Sequence, residues 1–304
     1  MSISAWRLAR RVVAGLGCGA CLLGLAAPAF AADGPGAAAF AAMQKAAAAG
    51  DTDGAVKFAD QVVEAEPRNV AYLNVVGGVY CEKAGKANVF TKFSWAAKCR
   101  ETWERAVGID PKNIDVRMSL IQYYVRAPGI AGGGVDKAQA QATAIVGLDP
   151  VLGEIAWGNI AMSQKQPADA EPHFKKAAEL DKAAMRGPVA LASFYAGQGR
   201  WPDARGVFER RLANGAIDPF ASYQIARLMQ AQSVDLDKAI ALFDGYLAAP
   251  PPPGGPTHAD AWFRKGQVYL QLKRTADART AFQTALKLVP GHQGATRELS
   301  RLKG

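Results

Sequence analysis

The sequence predicts an all-α solenoid, a right-handed superhelix of about seven helix-turn-helix repeats with a C-terminal capping helix. Three observations carry that expectation. Small and aromatic side chains recur in a fixed order at a period of about 34 residues, the mark of a stacked repeat architecture. Half of the 304 residues are apolar, and 31 Gly with 17 Pro is too few for a collagen-like or linker chain. The only sustained apolar run lies at the N-terminus, ahead of the repeats.

That N-terminal segment reads as an address. Arg7, Arg10 and Arg11 form a basic start, Val12–Ala27 is apolar, and Ala29-Phe30-Ala31 follows Pro28 as a small-residue cleavage site. These are the three zones of a secretory signal peptide over residues 1–31. A membrane span needs about 20 apolar residues. The run is shorter and is interrupted by Gly15, Gly17, Gly19 and Gly24, so cleavage before Ala32 is expected and no span should remain. Cleavage would remove three basic and no acidic residues, leaving a weak positive excess that does not mark a nucleic-acid binder. The expected destination is the periplasm or the exterior, where disulfides persist. Only Cys81 and Cys99 would survive the cleavage.

The last repeat is the clearest. With Ala259 as position 1, Trp262 falls at 4, Gly266 at 8, Tyr269 at 11, Ala278 at 20, Phe282 at 24, Ala285 at 27 and Pro290 at 32. Small residues at 8, 20 and 27 let two antiparallel helices approach, aromatics fill the space around the contact, and Pro ends the second helix. The pattern resembles the tetratricopeptide repeat (TPR) family at every signature position except 7, where Lys265 replaces the usual Leu. The same frame gives Trp157, Gly158, Ala170, Phe174 and Ala177 in repeat four, and Ala192, Tyr195, Ala204 and Phe208 in repeat five. Repeat six has Ala226, Ala239 and Phe243, with an extra residue near Asp235. Repeats two and three keep their second halves (Cys99, Trp103, Ala106 and Pro111, then Ala138 and Pro150), and repeat one keeps Ala55 and Pro67. The expected organisation is a signal at 1–31, repeats one to six over 32–248, a Pro-rich linker at 249–257, and repeat seven with its cap at 258–304. Insertions fall near 86–95, around KANVFTKFSW, and near 127–134, in APGIAGGG. Through its FSWA and APGIAGG segments the chain resembles a subgroup of exported bacterial TPR proteins.

Candidate chemistry is sparse. The Gly129–Gly134 run suggests an anion loop, but it lacks the Gly-Lys-Ser/Thr of a phosphate loop and follows a helical rather than a strand pattern. Phe93 and Trp95, interleaved with Lys92, Lys98 and Arg100, are expected to lengthen a helix and pack on repeat three. His173, His258 and His292 are widely separated and lack metal-ligand spacing, and no catalytic set can be assembled. Asp203, Glu209 and Asp237 are expected on solvated helix faces. The expectation is a protein without catalytic, metal or cofactor chemistry. For Cys81 and Cys99, at positions 12 and 20, regular repeat spacing argues against a disulfide, whereas the ten-residue insertion supplies the register shift that a bond would need.

The resemblance implies a concave groove lined by positions 2, 5, 9 and 12 of the first helices. Position 9 reads Gly78, Gln122, Asn159, Ser193, Arg227 and Gln267 in repeats two to seven, a polar ladder. Position 5 reads Asn74, Met118, Ile155, Val189, Tyr223 and Phe263, mostly apolar and suited to pockets. Such a surface is expected to hold an extended peptide or protein segment in support of envelope assembly or trafficking. A carbohydrate or small ligand serving an envelope enzyme is the alternative.

Overall fold

The computed structural model describes residues 34–181, 185–212 and 218–302. The signal segment lies outside them. Among the described residues there are fifteen α-helices and no strand. In chain order they are α1 Ala37–Ala48, α2 Thr52–Ala65, α3 Val70–Lys86, α4 Lys92–Ile109, α5 Ile114–Arg126, α6 Val135–Val146, α7 Pro150–Ser163 and α8 Pro167–Leu180. There follow α9 Arg186–Gly197, α10 Trp201–Leu212, α11 Pro219–Gln232, α12 Leu236–Leu247, α13 His258–Gln271, α14 Thr275–Leu288 and α15 Gln293–Arg301. These are seven helix pairs and a cap, and no helix among the described residues is long and apolar enough to cross a membrane.

The sequence writes the helix ends locally. Asp51, Asn69, Asn113, Asp149 and Asp218 each precede a helix and accept a hydrogen bond from a first-turn amide, satisfying a donor the helix cannot. Thr257 and Asp260 form a reciprocal capping box at α13. Within repeats one, four, five and seven, the turn places Gly50, Lys165, Gly199 and Lys273 in the left-handed region, each two residues before the second helix. Repeat six uses two such residues, Ser233 and Asp235, to absorb its extra residue.

The chain divides into two compact units, residues 1–180 and 181–304. The division falls between repeats four and five, rather than at the Pro-rich segment. In the first unit α1–α8 pack in sequence, and the first helices α3, α5 and α7 also touch their neighbours across repeats. In the second unit α9–α15 pack in sequence, and α11 touches α13. The pair contact is the one that the small residues anticipate. A Cβ built on Gly266 would lie 2.5 Å from the Phe282 ring, one on Gly158 2.8 Å from Phe174, and one on Gly77 2.4 Å from Trp103. Ala278, Phe282 and Ala285 are fully buried, as are Ala170 and Ala177.

Three features depart from a regular repeat. The Pro-rich segment is not simply extended: Gly255 N–H donates to Pro252 O at 2.8 Å in a turn, and the Tyr246 hydroxyl donates to Pro256 O. Lys265, where the family usually has Leu, is buried, its ammonium on Asp244 and 4.9 Å from the Trp262 ring centroid. Finally, half of the repeat-two insertion is helical, Lys86 ending α3 and residues 92–95 opening α4. Helices α3 and α4 run for 17 and 18 residues, against 14 each for α13 and α14. With both helices extended, Cys81 meets Cys99 at a Cα separation of 5.2 Å and the two form a disulfide.

Candidate functional site

In the first unit the ladder is open. Gly78 on α3, Gln122 on α5 and Asn159 on α7 are exposed, on first helices that pack side by side. The position-5 residues Asn74, Met118 and Ile155 are half-buried beside them, and Asn74 Oδ1 accepts from the Ser119 hydroxyl at 3.0 Å. Helix α7 also carries Glu154, buried against α8. Its carboxylate pairs with His173 Nδ1 at 2.7 Å and Lys176 Nζ at 2.6 Å, while the His173 ring stacks on Trp157. Burial pushes the Glu154 carboxyl up, but the hydrogen bonds from His173 and Lys176 outweigh it and hold the group below the usual carboxylate value.

In the second unit the ladder closes. Ser193 is exposed, but Arg227 and Gln267 are half-buried. Gln267 Oε1 accepts from Gln230 Nε2 at 2.9 Å and from Arg264 at 3.3 Å. Burial, aided by the nearby Arg264 charge, depresses the Arg227 guanidinium from its usual value. Tyr223 is buried among Phe243 and Tyr246, and burial raises its hydroxyl. Phe263 packs on Phe282 and His292 rather than waiting in an open pocket. The groove residues expected at positions 5 and 9 thus fall into an accessible group in the first unit and a largely packed one in the second.

The other histidines are structural. His258 Nε2 bonds the Ala249 carbonyl at 2.8 Å, and His292 Nδ1 caps α15 by accepting from Ala295 N–H at 3.1 Å. In the second half of the glycine run the amides are spent within the bend rather than offered to an anion. Those of Gly132, Gly133 and Gly134 donate to the carbonyls of Gly129, Pro128 and Tyr124 at 2.8, 3.2 and 3.0 Å. Gly132 takes φ +83°, and a Cβ on Gly133 would meet Ala127 O at 1.8 Å, so the bend itself demands glycine.

The two insertions do something the repeat pattern did not announce. They enclose a cleft of 770 Å³ in the first unit, between the end of α3, the start of α4, the end of α5 and the Ala127–Ala131 turn. Its walls include Ala84, Val89, Phe93, Ala96, Trp103 and Tyr123, with Cys81 of the disulfide beside them. Lys92 and Arg126 line it and no acidic residue does, and Gln122 ties it to the ladder. Phe93 is 41 % exposed and faces this space instead of packing on repeat three, while Trp95 leans on Tyr80 of its own repeat at 6.1 Å. The readable signal for these residues was the pair of interruptions itself.

A family model described as "Tetratricopeptide repeat" matches residues 155–221 and 230–292. Among solved structures, yeast Tom70 is similar with a TM-score of 0.54 at 14 % identity, over 84 % of this chain and 51 % of that one. A tetratricopeptide repeat protein from Parabacteroides merdae gives 0.46 at 15 % identity, over 88 % and 99 %. The pilF protein of Pseudomonas aeruginosa gives 0.36 at 14 % identity, over 75 % and 99 %. No curated protein matches the chain. At such identities the likeness to Tom70 speaks for the fold alone. With the helix pairs, the glycine-to-aromatic contacts and the family match together, the fold is that of a tetratricopeptide repeat array, and residues 155–221 and 230–292 carry that family's own sequence pattern.

Proposed function

We propose that this chain is an exported, non-catalytic scaffold that holds a peptide or protein partner along the first helices of its repeats and serves envelope assembly or trafficking. The observation that carries the reading is the open ladder of the first unit, where Gln122 and Asn159 stand exposed on packed neighbouring helices with Met118 and Ile155 half-buried beside them. Side-chain amides spaced along such a face donate to and accept from an extended backbone, and the apolar neighbours give its side chains something to cover. The fold supports the same reading, since stacked repeats present extended binding surfaces. Export rests on the leader at 1–31.

The test is capture from envelope extract by the tagged mature chain, comparing wild type with a Gln122→Ala/Asn159→Ala variant. Loss of the captured partner with unchanged helicity and melting temperature supports the reading. Undiminished capture by the double variant refutes it.

A further inference from the structure

We infer that the cleft built by the two insertions binds the alkyl chain of a long-chain fatty carboxylate, with the carboxylate at Lys92 and Arg126. This stands apart from the partner-binding reading, because it rests on the cleft and not on the ladder. The volume of 770 Å³ lies within the range of about 300–1,000 Å³ typical of small-molecule sites. Its walls are aliphatic and aromatic, and their polar atoms are turned to the protein itself. The Tyr123 hydroxyl donates to Ala131 O at 2.6 Å, Trp103 Nε1 to Asn74 O at 2.9 Å, and the Ser119 hydroxyl bonds Asn74 Oδ1 at 3.0 Å.

A peptide strand buried there would bring an amide and a carbonyl per residue, and the walls offer it the side chains of Gln122, Lys92 and Arg126, the last two without an acceptor. Unmatched backbone groups are costly to bury. An alkyl chain brings no such groups. Charge then selects the head. Lys92 begins α4 and Arg126 ends α5, both line the cleft, and no Asp or Glu does. The insertions are apolar outside the cleft too: Val89, which lines it, is 68 % exposed, and Phe90 and Ile130, next in sequence to lining residues, are 91 and 82 % exposed.

The experiment is calorimetric titration of the full mature chain with sodium dodecanoate below its micellar concentration, with dodecanol as the uncharged comparison. Saturable binding of one dodecanoate per chain is expected. Lys92→Ala/Arg126→Ala should weaken dodecanoate tenfold or more and leave dodecanol unaffected. Gly85→Leu should block both ligands: Gly85 lines the cleft on α3, and a Cβ there meets nothing within 4 Å, so the new side chain enters the cleft without disturbing the fold. The inference is overturned by absence of saturable binding, by dodecanoate binding that survives Gly85→Leu, or by equal losses for both ligands in the double variant. Association with phosphatidylglycerol vesicles but not with free dodecanoate also overturns it. Partner capture by Gly85→Leu should equal wild type, so either proposal can fail without the other.

Discussion

Gly77 and Gly78 are neighbours on α3, and replacing each by Ala separates the steric rule of the repeat from helix propensity. Both changes gain the same intrinsic preference, about 0.8–1.0 kcal/mol for Ala over Gly in a helix interior. At Gly78 the new methyl meets nothing within 4 Å, so Gly78→Ala should stabilise by about that amount. At Gly77 the methyl would lie 2.4 Å from Trp103 Nε1 and 2.7 Å from Cδ1 and Cε2 of the same ring. The indole cannot retreat cheaply, because Trp103 is 8 % exposed and its Nε1 donates to Asn74 O at 2.9 Å. Overpacking of this kind costs about 1–3 kcal/mol, and a lost hydrogen bond adds about 0.5–1.5 kcal/mol. The propensity gain cancels between the two variants, leaving Gly77→Ala less stable than Gly78→Ala by about 1.5–4.5 kcal/mol. Urea unfolding of both variants, followed by far-ultraviolet circular dichroism and tryptophan fluorescence, measures that difference. Equal stabilities would refute the claim that residue 77 is glycine because the Trp103 ring occupies the space of its side chain.

Three further outcomes follow from the same structure. Asp244→Ala strands the buried Lys265 ammonium and should destabilise the second unit by about 2 kcal/mol, below the range for a fully buried pair because Asp244 is half exposed, whereas Lys265→Leu should be neutral or stabilising; thermal melts of the two variants decide it. The folded-state value of Glu154 lies below its unfolded value, so its contribution is present above the unfolded value, near pH 4, and is lost as pH falls through the folded one. Glu154→Gln should therefore flatten part of the acid limb of a stability-against-pH profile, and an unchanged limb would count against the assigned role of the His173 and Lys176 bonds. N-terminal sequencing of protein from the envelope fraction should begin at Ala32, and a retained Met1 would favour an uncleaved anchor.

The fold was legible because its determinants are short-range. Gly266 and Phe282, or Gly158 and Phe174, sit in one helix pair, and the sizes of their side chains specify the contact without knowledge of the rest of the chain. The binding surface was less so. Position 9 is polar at Arg227 and Gln267 as at Gln122 and Asn159, but Gln230 and Arg264 bond Gln267, and the repeat frame ranks positions within one repeat without saying which side chains of two repeats will reach each other. The cleft was missed because it is made where the period fails: Val89 and Phe93 on one interruption meet Pro128 and Ala131 on another, and irregular segments carry no register from which to foresee their meeting. The Pro-rich stretch misled for a related reason, since its composition suggests a free spacer while the Tyr246 hydroxyl, ten residues before Pro256, holds it down.

A stack of helix pairs has no long-range wiring, so disorder that begins at one end can travel along it a pair at a time. The bond between Cys81 and Cys99 interrupts that travel. It ties the second pair across its own interface, so α3 and α4 cannot separate even when α1 and α2 have frayed away. Under oxidising conditions the cleft walls that these two helices contribute should outlast the pair α1 and α2, and a protease working inward through that pair would find its first firm stop there. The covalent link thus acts as a firebreak, placed in the second described pair, beside the cleft that the two insertions add to the array.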